Sequence, residues 1–294
     1  MPKICMVIVT YFPNKDNIRS LIESIIHQVD KIIIIDNTPK PSVSLSDLDS
    51  SKIEKVFLMK NYGIAYAQNL GMQMALEMCP DYILLSDQDS KFPKHYIENM
   101  LKTFDVDDKV AAIAPTINDS NKDMRDPIIV FDPIFFRQKS PSFGIIEVMQ
   151  AISSGMIFRA EYLSKIGMMN EYLFIDWVDF EWCWRARKKG YKILVNANIS
   201  IAHVLGDYSK DLKYRKVNLR SPSRHYYITR NAFYLATRNR NLDIIHRITL
   251  FLNSLKYLVG FPVLASPHYQ NLRYVALGFY HGIIGRLGEL NVTD

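Results

Sequence analysis

Two carboxylates separated by one residue, Asp87 and Asp89, close the apolar run in DYILLSDQDS. In an extended chain, side chains two residues apart project from the same face, so both can converge on one hard divalent cation, Mg2+ or Mn2+. Such a cation neutralises a diphosphate, with Gln88 beside it. Read without context, the same aspartates are turn formers ahead of Pro93. A second acidic group lies in FIDWVDFEWCWR, where Asp176 reads as a helix N-cap and Asp179 and Glu181 as first-turn residues favoured by the helix dipole. A carboxylate so placed is expected to be ionised at neutral pH. His203 ends the apolar run of NISIAHVLGD, as a structural histidine or a ligand. In RHYYITRNAFYLATRNR, Arg224, Arg230 and Arg238 stand among tyrosines. That pattern suits a solvated basic face, stacking on nucleic acid, or phosphate contacts to a small ligand, and we favour the last.

These residues need elements to position them. Apolar runs at Ile4–Val9, Lys31–Ile35, Ile53–Leu58, Tyr82–Ser86 and Val110–Ala114 read as strands, while Asp16–His27 and Ala65–Met78 carry apolar residues at helical spacing. This βαβ rhythm predicts an α/β fold with a mostly parallel sheet flanked by helices, whose ligands bind beyond the carboxyl ends of the strands. The first strand leads into VIVTYFPN, with no glycine fingerprint, and no P-loop pattern occurs in the chain. A nucleotide must therefore be held by other means. Residues 119–142, with Pro127, Pro133 and Pro141, read as an irregular excursion. Trp177–Lys189 reads as a helix closed by three basic residues and Gly190.

The composition, 48% hydrophobic and 22% charged, is that of a globular protein. Cys5, Cys79 and Cys183 lack the spacing of a zinc site or a disulfide framework. Met1–Val9 has neither the length nor the cleavage site of a secretory signal, so the chain is expected in the cytoplasm. The net charge of +6 is unevenly spread: residues 205–256 hold 11 Lys/Arg against 3 Asp/Glu. We expect one unit over residues 1–206 and a basic, aromatic helical extension over 207–294. The apolar stretch from Ile244 to Ala265 is broken by His246, Arg247, Asn253 and Lys256, which suits an interfacial helix or a dimer contact rather than a span.

Taken in order, VIVTYFPN, IIIIDN, NYGIAYAQNLG, LLSDQDS, SSGMIF and FIDWVDFEWCWR resemble the motifs of the family 2 glycosyltransferases of the GT-A fold, in their rhamnosyltransferase-like branch. The resemblance runs from Ile4 to about Asn231. It implies a donor site of Thr10, Tyr11, Asp36, Asn61, Gly63, Asn69, Asp87, Gln88 and Gly155, with Gly71 near it. It also implies a metal held by Asp87, Asp89 and His203, a catalytic base at Asp179 with Glu181 as its neighbour, and Asp176, Trp177, Arg224 and Arg230 toward acceptor or phosphate. The activity implied is metal-dependent, inverting transfer of a sugar, L-rhamnose from dTDP-β-L-rhamnose, onto a glycan or a polyprenyl-diphosphate-linked glycan. That would serve cell-surface polysaccharide synthesis, such as O-antigen or cell wall, at the inner face of the membrane. UDP-galactofuranose and UDP-hexose are the alternative donors. A non-catalytic nucleotide- or nucleic-acid-binding protein is the alternative class, disfavoured by the retained carboxylates; no nucleic-acid partner is expected.

Overall fold

The computed structural model describes residues 2–40, 45, 47–119, 127–132, 134, 136–203, 209–212 and 215–290, with the backbone alone at 119, 203, 209–212 and 215–218. The chain runs β1 (Ile4–Thr10), α1 (Lys15–Ile25), β2 (Lys31–Asp36), β3 (Ile53–Phe57), α2 (Ile64–Glu77), β4 (Tyr82–Asp87), β5 (Ser90–Lys91), α3 (Tyr96–Leu101) and β6 (Val110–Asp119). It continues through β7 (Ile128–Val130), β8 (Arg137–Lys139), β9 (Ile145–Gln150), β10 (Ile157–Arg159), α4 (Ala160–Ile166), α5 (Val178–Lys188) and β11 (Lys192–His203). The last elements are β12 (Ser209–Leu212), β13 (Arg215–Asn218), α6 (Pro222–Arg238), α7 (Ile244–Leu264) and α8 (His268–Ile284).

Strand periodicity sorts the core into two layers. Met6, Ile8, Ile32 and Ile34 face Ile18, Leu21 and Ile25 of α1, whereas Cys5, Val7, Ile33 and Ile35 face Ala65, Ala67, Met72 and Ala75 of α2. Strands buried on both faces read as continuous apolar runs, which is why KIIIID carries no alternation. The sheet has eleven strands in the order β3-β2-β1-β4-β10-β6-β11-β9-β7-β8, with β5 paired to β11. Its β3-β2-β1-β4 half is parallel, as the sequence indicates. Beyond it, β10 runs antiparallel to both β4 and β6, and β9 antiparallel to β11, so the sheet is mixed. The stretch expected to be irregular holds two short strands, β7 and β8.

Register brings the functional strand ends level: Thr10 pairs with Asp36, and Val9 with Asp87. β11 returns alongside and sets the backbone of His203 against Ser90, next to the D-x-D turn. The three C-terminal helices pack on one another and on the segment before α5. The boundary expected at 206/207 falls within residues 204–208, outside the described ones.

Candidate active site

Asp36 ends β2, fully buried. Its Oδ1 accepts from the hydroxyls of Thr10 (2.9 Å) and Thr38 (2.6 Å), while Oδ2, also buried, has no partner among the described residues. An orphaned carboxylate oxygen is costly and points to a ligand N–H or O–H at this strand end. Tyr11 leaves its ring exposed at the mouth. The Tyr11 backbone is clasped by Gln88, whose Oε1 accepts from its N–H (2.8 Å) and whose Nε2 donates to its carbonyl (3.2 Å). Gln88 thus ties the β1 and β4 loops together. Asn61 takes up Asn37 (2.9 Å) and the Gly63 N–H (3.0 Å), and Asn37 accepts from Tyr62 (2.8 Å). Asn37 was not anticipated as part of this corner.

Beside it opens a cleft of about 280 Å³ lined by Gln68, Asp87, Ser153, Asp176, Trp177, Asp179, Phe180, Arg220 and Arg224 with four isoleucines and Val178. Asp179 Oδ2 accepts from the Ser153 N–H (3.1 Å) and Oδ1 from the Phe180 N–H (3.0 Å). Burial in this cleft pushes its carboxyl up to about 7; the two N–H bonds oppose the rise and the charge of Asp87 adds to it. This corrects the expectation of a fully ionised residue. A helix terminus contributes about 0.3–1 kcal/mol, less than one pKa unit at about 1.4 kcal/mol, and desolvation exceeds it. Four carboxylates, Asp87, Asp89, Asp176 and Asp179, meet two guanidiniums here. Burial and the adjacent Arg224 lower the pKa of Arg220, against Asp176 and Asp89. Burial also pulls on Arg224, but Asp176, Asp87 and Asp179 outweigh it and hold it up. The excess of negative charge and the hard oxygen donors of Asp87 and Asp89 fit a divalent cation. Among the described residues no group of three metal-ligating side chains assembles, and the side chain of His203 lies outside them.

Asp179 follows a strained turn. Phe174, Asp176 and Trp177 have φ of 65°, 62° and 66°, conformations costing on the order of 1–3 kcal/mol each. Ile175 N–H closes a tight turn on Leu173 O (2.7 Å). Gly63, at φ 87°, lets α2 begin against this turn: a Cβ there would stand 2.6 Å from Phe174 O, which instead accepts from Ile64 N–H (2.8 Å). Trp177, not Asp176, caps α5. The Asp176 carboxylate is gripped by Arg224 through Nε (2.8 Å) and Nη2 (3.0 Å).

Several expected site residues serve the frame instead. Glu181 is buried and bound twice by Arg185 (3.1 and 3.0 Å) one turn on, and it does not line the cleft. Asn69 is spent on the Met169 backbone and Glu171 and does not line the cleft. Arg230 is 0% exposed, with its guanidinium on the carbonyls of Gly288 (2.5 Å) and Leu173 (2.8 Å), and cannot meet a phosphate. Gly71 permits α2 to touch β1, since a Cβ would lie 2.3 Å from Val7. Gly155 sits at φ 79° where a Cβ would strike Ile201 and Pro115, so packing alone accounts for a glycine there. Trp182 and Trp184 are core. Sequence reading missed Gln68, Ser153, Ser154 and Arg220. Gln68 donates to Ser153 (3.1 Å), Ser154 receives the Asp87 N–H (3.1 Å), and no spacing rule marks them.

A strand-end corner with an orphaned carboxylate oxygen beside an acidic cleft, on a mixed sheet of this order, fits a glycosyltransferase of the GT-A type. Residues 5–167 match the model of Glycosyl transferase family 2. The dTDP-rhamnosyl transferase RfbF of Shigella flexneri is 33% identical over 240 residues, 80% of each chain. The chain belongs to glycosyl transferase family 2. Among solved structures it superposes on S. aureus TarS 1-349 with a TM-score of 0.62 at 14% identity, covering 96% of this chain and 81% of that one. The crystal structure of GalNAc-T7 with UDP, GalNAc and Mn2+ gives 0.59 at 12% identity, over 90% of this chain and 57% of the other.

Proposed function

We propose that this glycosyltransferase moves L-rhamnose from dTDP-β-L-rhamnose to a saccharide acceptor with inversion, in the synthesis of a cell-surface polysaccharide. The placement of Asp179 carries the reading: a carboxylate facing Asp87 across the cleft, its proton affinity raised toward neutrality. A base tuned near the working pH is best able to take a hydroxyl proton as that oxygen attacks. The acceptor oxygen bonds to the anomeric carbon, its proton passes to Asp179, and the carbon–oxygen bond to the diphosphate breaks, releasing dTDP. One displacement inverts the centre. Asp87 and Asp89, with His203 as the third proposed ligand, would hold Mg2+ or Mn2+, which as a Lewis acid takes up charge from the departing diphosphate. Asp36 would receive a hydrogen bond from the nucleoside on its free Oδ2, with Tyr11 over the base. Arg220 and Arg224 face the anionic end of the cleft.

The choice of rhamnose is supported by the name of the Shigella flexneri relative. Incubating the protein and Mn2+ with a panel of nucleotide sugars and assigning the product anomer by NMR tests it. Preference for UDP-galactofuranose or a UDP-hexose would replace the donor, and a retained anomer would overturn the mechanism. We further propose a catalytic unit over residues 1–206 and a helical extension over 207–294. The extension would hold the enzyme to the inner face of the cell membrane, beside an acceptor carried on a polyprenyl diphosphate. Among the described residues no helix is long and apolar enough to cross a membrane. The outer side of α7 supports contact instead: Ile248, Leu252, Leu255, Val259 and Val263 are all exposed along one stripe.

A further inference from the structure

Helix α6 reaches the turn before α5 at four points. Arg224 holds the Asp176 carboxylate, and Ile228 O receives the Trp177 indole N–H (3.1 Å). Asn231 Nδ2 stands within 3.0 Å of three carbonyls, Leu173 (2.9 Å), Ile175 (2.8 Å) and Asp176 (3.0 Å), and Arg230 Nη2 donates to Leu173 as well (2.8 Å). The amide orientation is forced: Asn231 Oδ1 accepts from Arg230 Nε (2.9 Å), a group that only donates, and the turn offers carbonyls that only accept. Both side chains are 0% exposed, so no water substitutes for them. From the other side, Phe174 O accepts from Ile64 N–H of α2. Its left-handed residues have no intrinsic reason to stay as they are, and Trp177, the last of them, starts the helical turn that carries Asp179.

We propose that Arg230 and Asn231 are positioning residues of the transfer reaction: they hold the strained turn in the one shape that aims Asp179 into the cleft. The inference rests on the reading of Asp179 as base. Neither residue touches the cleft, so their effect falls on turnover and not on donor binding.

The test compares Asn231→Ala with Asn271→Ala. Asn271 is equally buried but bonds His225, Ala265 and Pro267 within the C-terminal helices, away from the turn. Asn231→Ala is expected to lower kcat at least tenfold with the donor KM within twofold, and to speed amide exchange at residues 174–177 but not in β1 or β4. Asn271→Ala is expected to destabilise comparably while keeping kcat. Should Asn231→Ala fail to fold, Arg230→Lys keeps the charge but has too few donors for its carbonyls, and is expected to show the same split at smaller amplitude. Unchanged kcat in a folded variant, or kcat and KM worsening together in both asparagine variants, overturns the proposal. Asp179→Asn run alongside separates the two readings: if it retains turnover, the base assignment fails irrespective of Asn231.

Discussion

Asp179 sits between backbone donors that favour its charge and a cleft that disfavours it, and the cleft prevails. Since only the deprotonated form accepts a proton, kcat/KM is expected to fall about tenfold per pH unit below about 7 and to level above it; a pH-rate profile checks this. The same shift has a stability sign. The native carboxyl binds its proton more tightly than the unfolded one, so the group's contribution is fully present below about pH 4 and is lost as pH rises through about 7. Asp179→Asn does not titrate, and its melting temperature relative to wild type is expected to climb between pH 5 and pH 8, while turnover falls a hundred- to ten-thousand-fold. Asp87→Ala and Asp89→Ala are expected to abolish the Mn2+-dependent part of dTDP binding, measured by calorimetry; unchanged affinity in both would remove them as ligands. The carboxylates were legible because their spacing and strand-end position carry the chemistry. Arg220 and Ser153 were not, because only the folded chain brings them there. Glu181 could have been recognised: an arginine four residues on is the ordinary helical partner of a glutamate.

Among the elements, the parallel strands and the α1, α2 and α5 helices could be read within a residue or two, since each buries a periodic face of its own. Of the other half, Val110–Ala114 could be read within β6, but β7, β8 and β9 could not. Residues such as Ile145–Gln150 form a strand only because β11 and β7 lie on either side of it, and those partners are 18 to 51 residues away in register. The glycine before α2 shows how element and site connect. Gly63 requires both a positive φ and the absence of a Cβ against Phe174 O, so Gly63→Ala is expected to cost upward of about 1 kcal/mol and to displace the turn. Thermal melts with steady-state kinetics would show a larger loss in kcat than the stability change accounts for; a variant with wild-type kinetics would mean the turn tolerates the shift.

At the scale of the whole molecule, the C-terminal helices combine a basic sequence with an exposed apolar stripe on α7. From Ile244 to Gly288 the chain has no aspartate or glutamate, but carries Arg247, Lys256, Arg273 and Arg286. Val259 and Val263 on α7 are 66% and 63% exposed. Two identical basic faces repel one another, whereas an anionic leaflet attracts them at about 1 kcal/mol per cation near the surface. Co-sedimentation with anionic liposomes is expected, weakening with salt and lost in Leu252→Glu/Val259→Glu. Salt-insensitive self-association through α7, with no liposome binding, would show this face to be a dimer contact instead.

The stitching of the 172–177 turn to α6 also decides how this enzyme can be recombined with its relatives. A chimera joined near residue 206 to exchange donor preference would pair one parent's catalytic turn with another parent's asparagine and arginine. Its strand-end corner would be intact and, on the proposed role of the turn, its Asp179 misaimed, giving a protein expected to bind nucleotide and transfer little. A junction after residue 238 keeps turn and helix of common descent, and is where exchange of acceptor-side or surface-binding helices should begin.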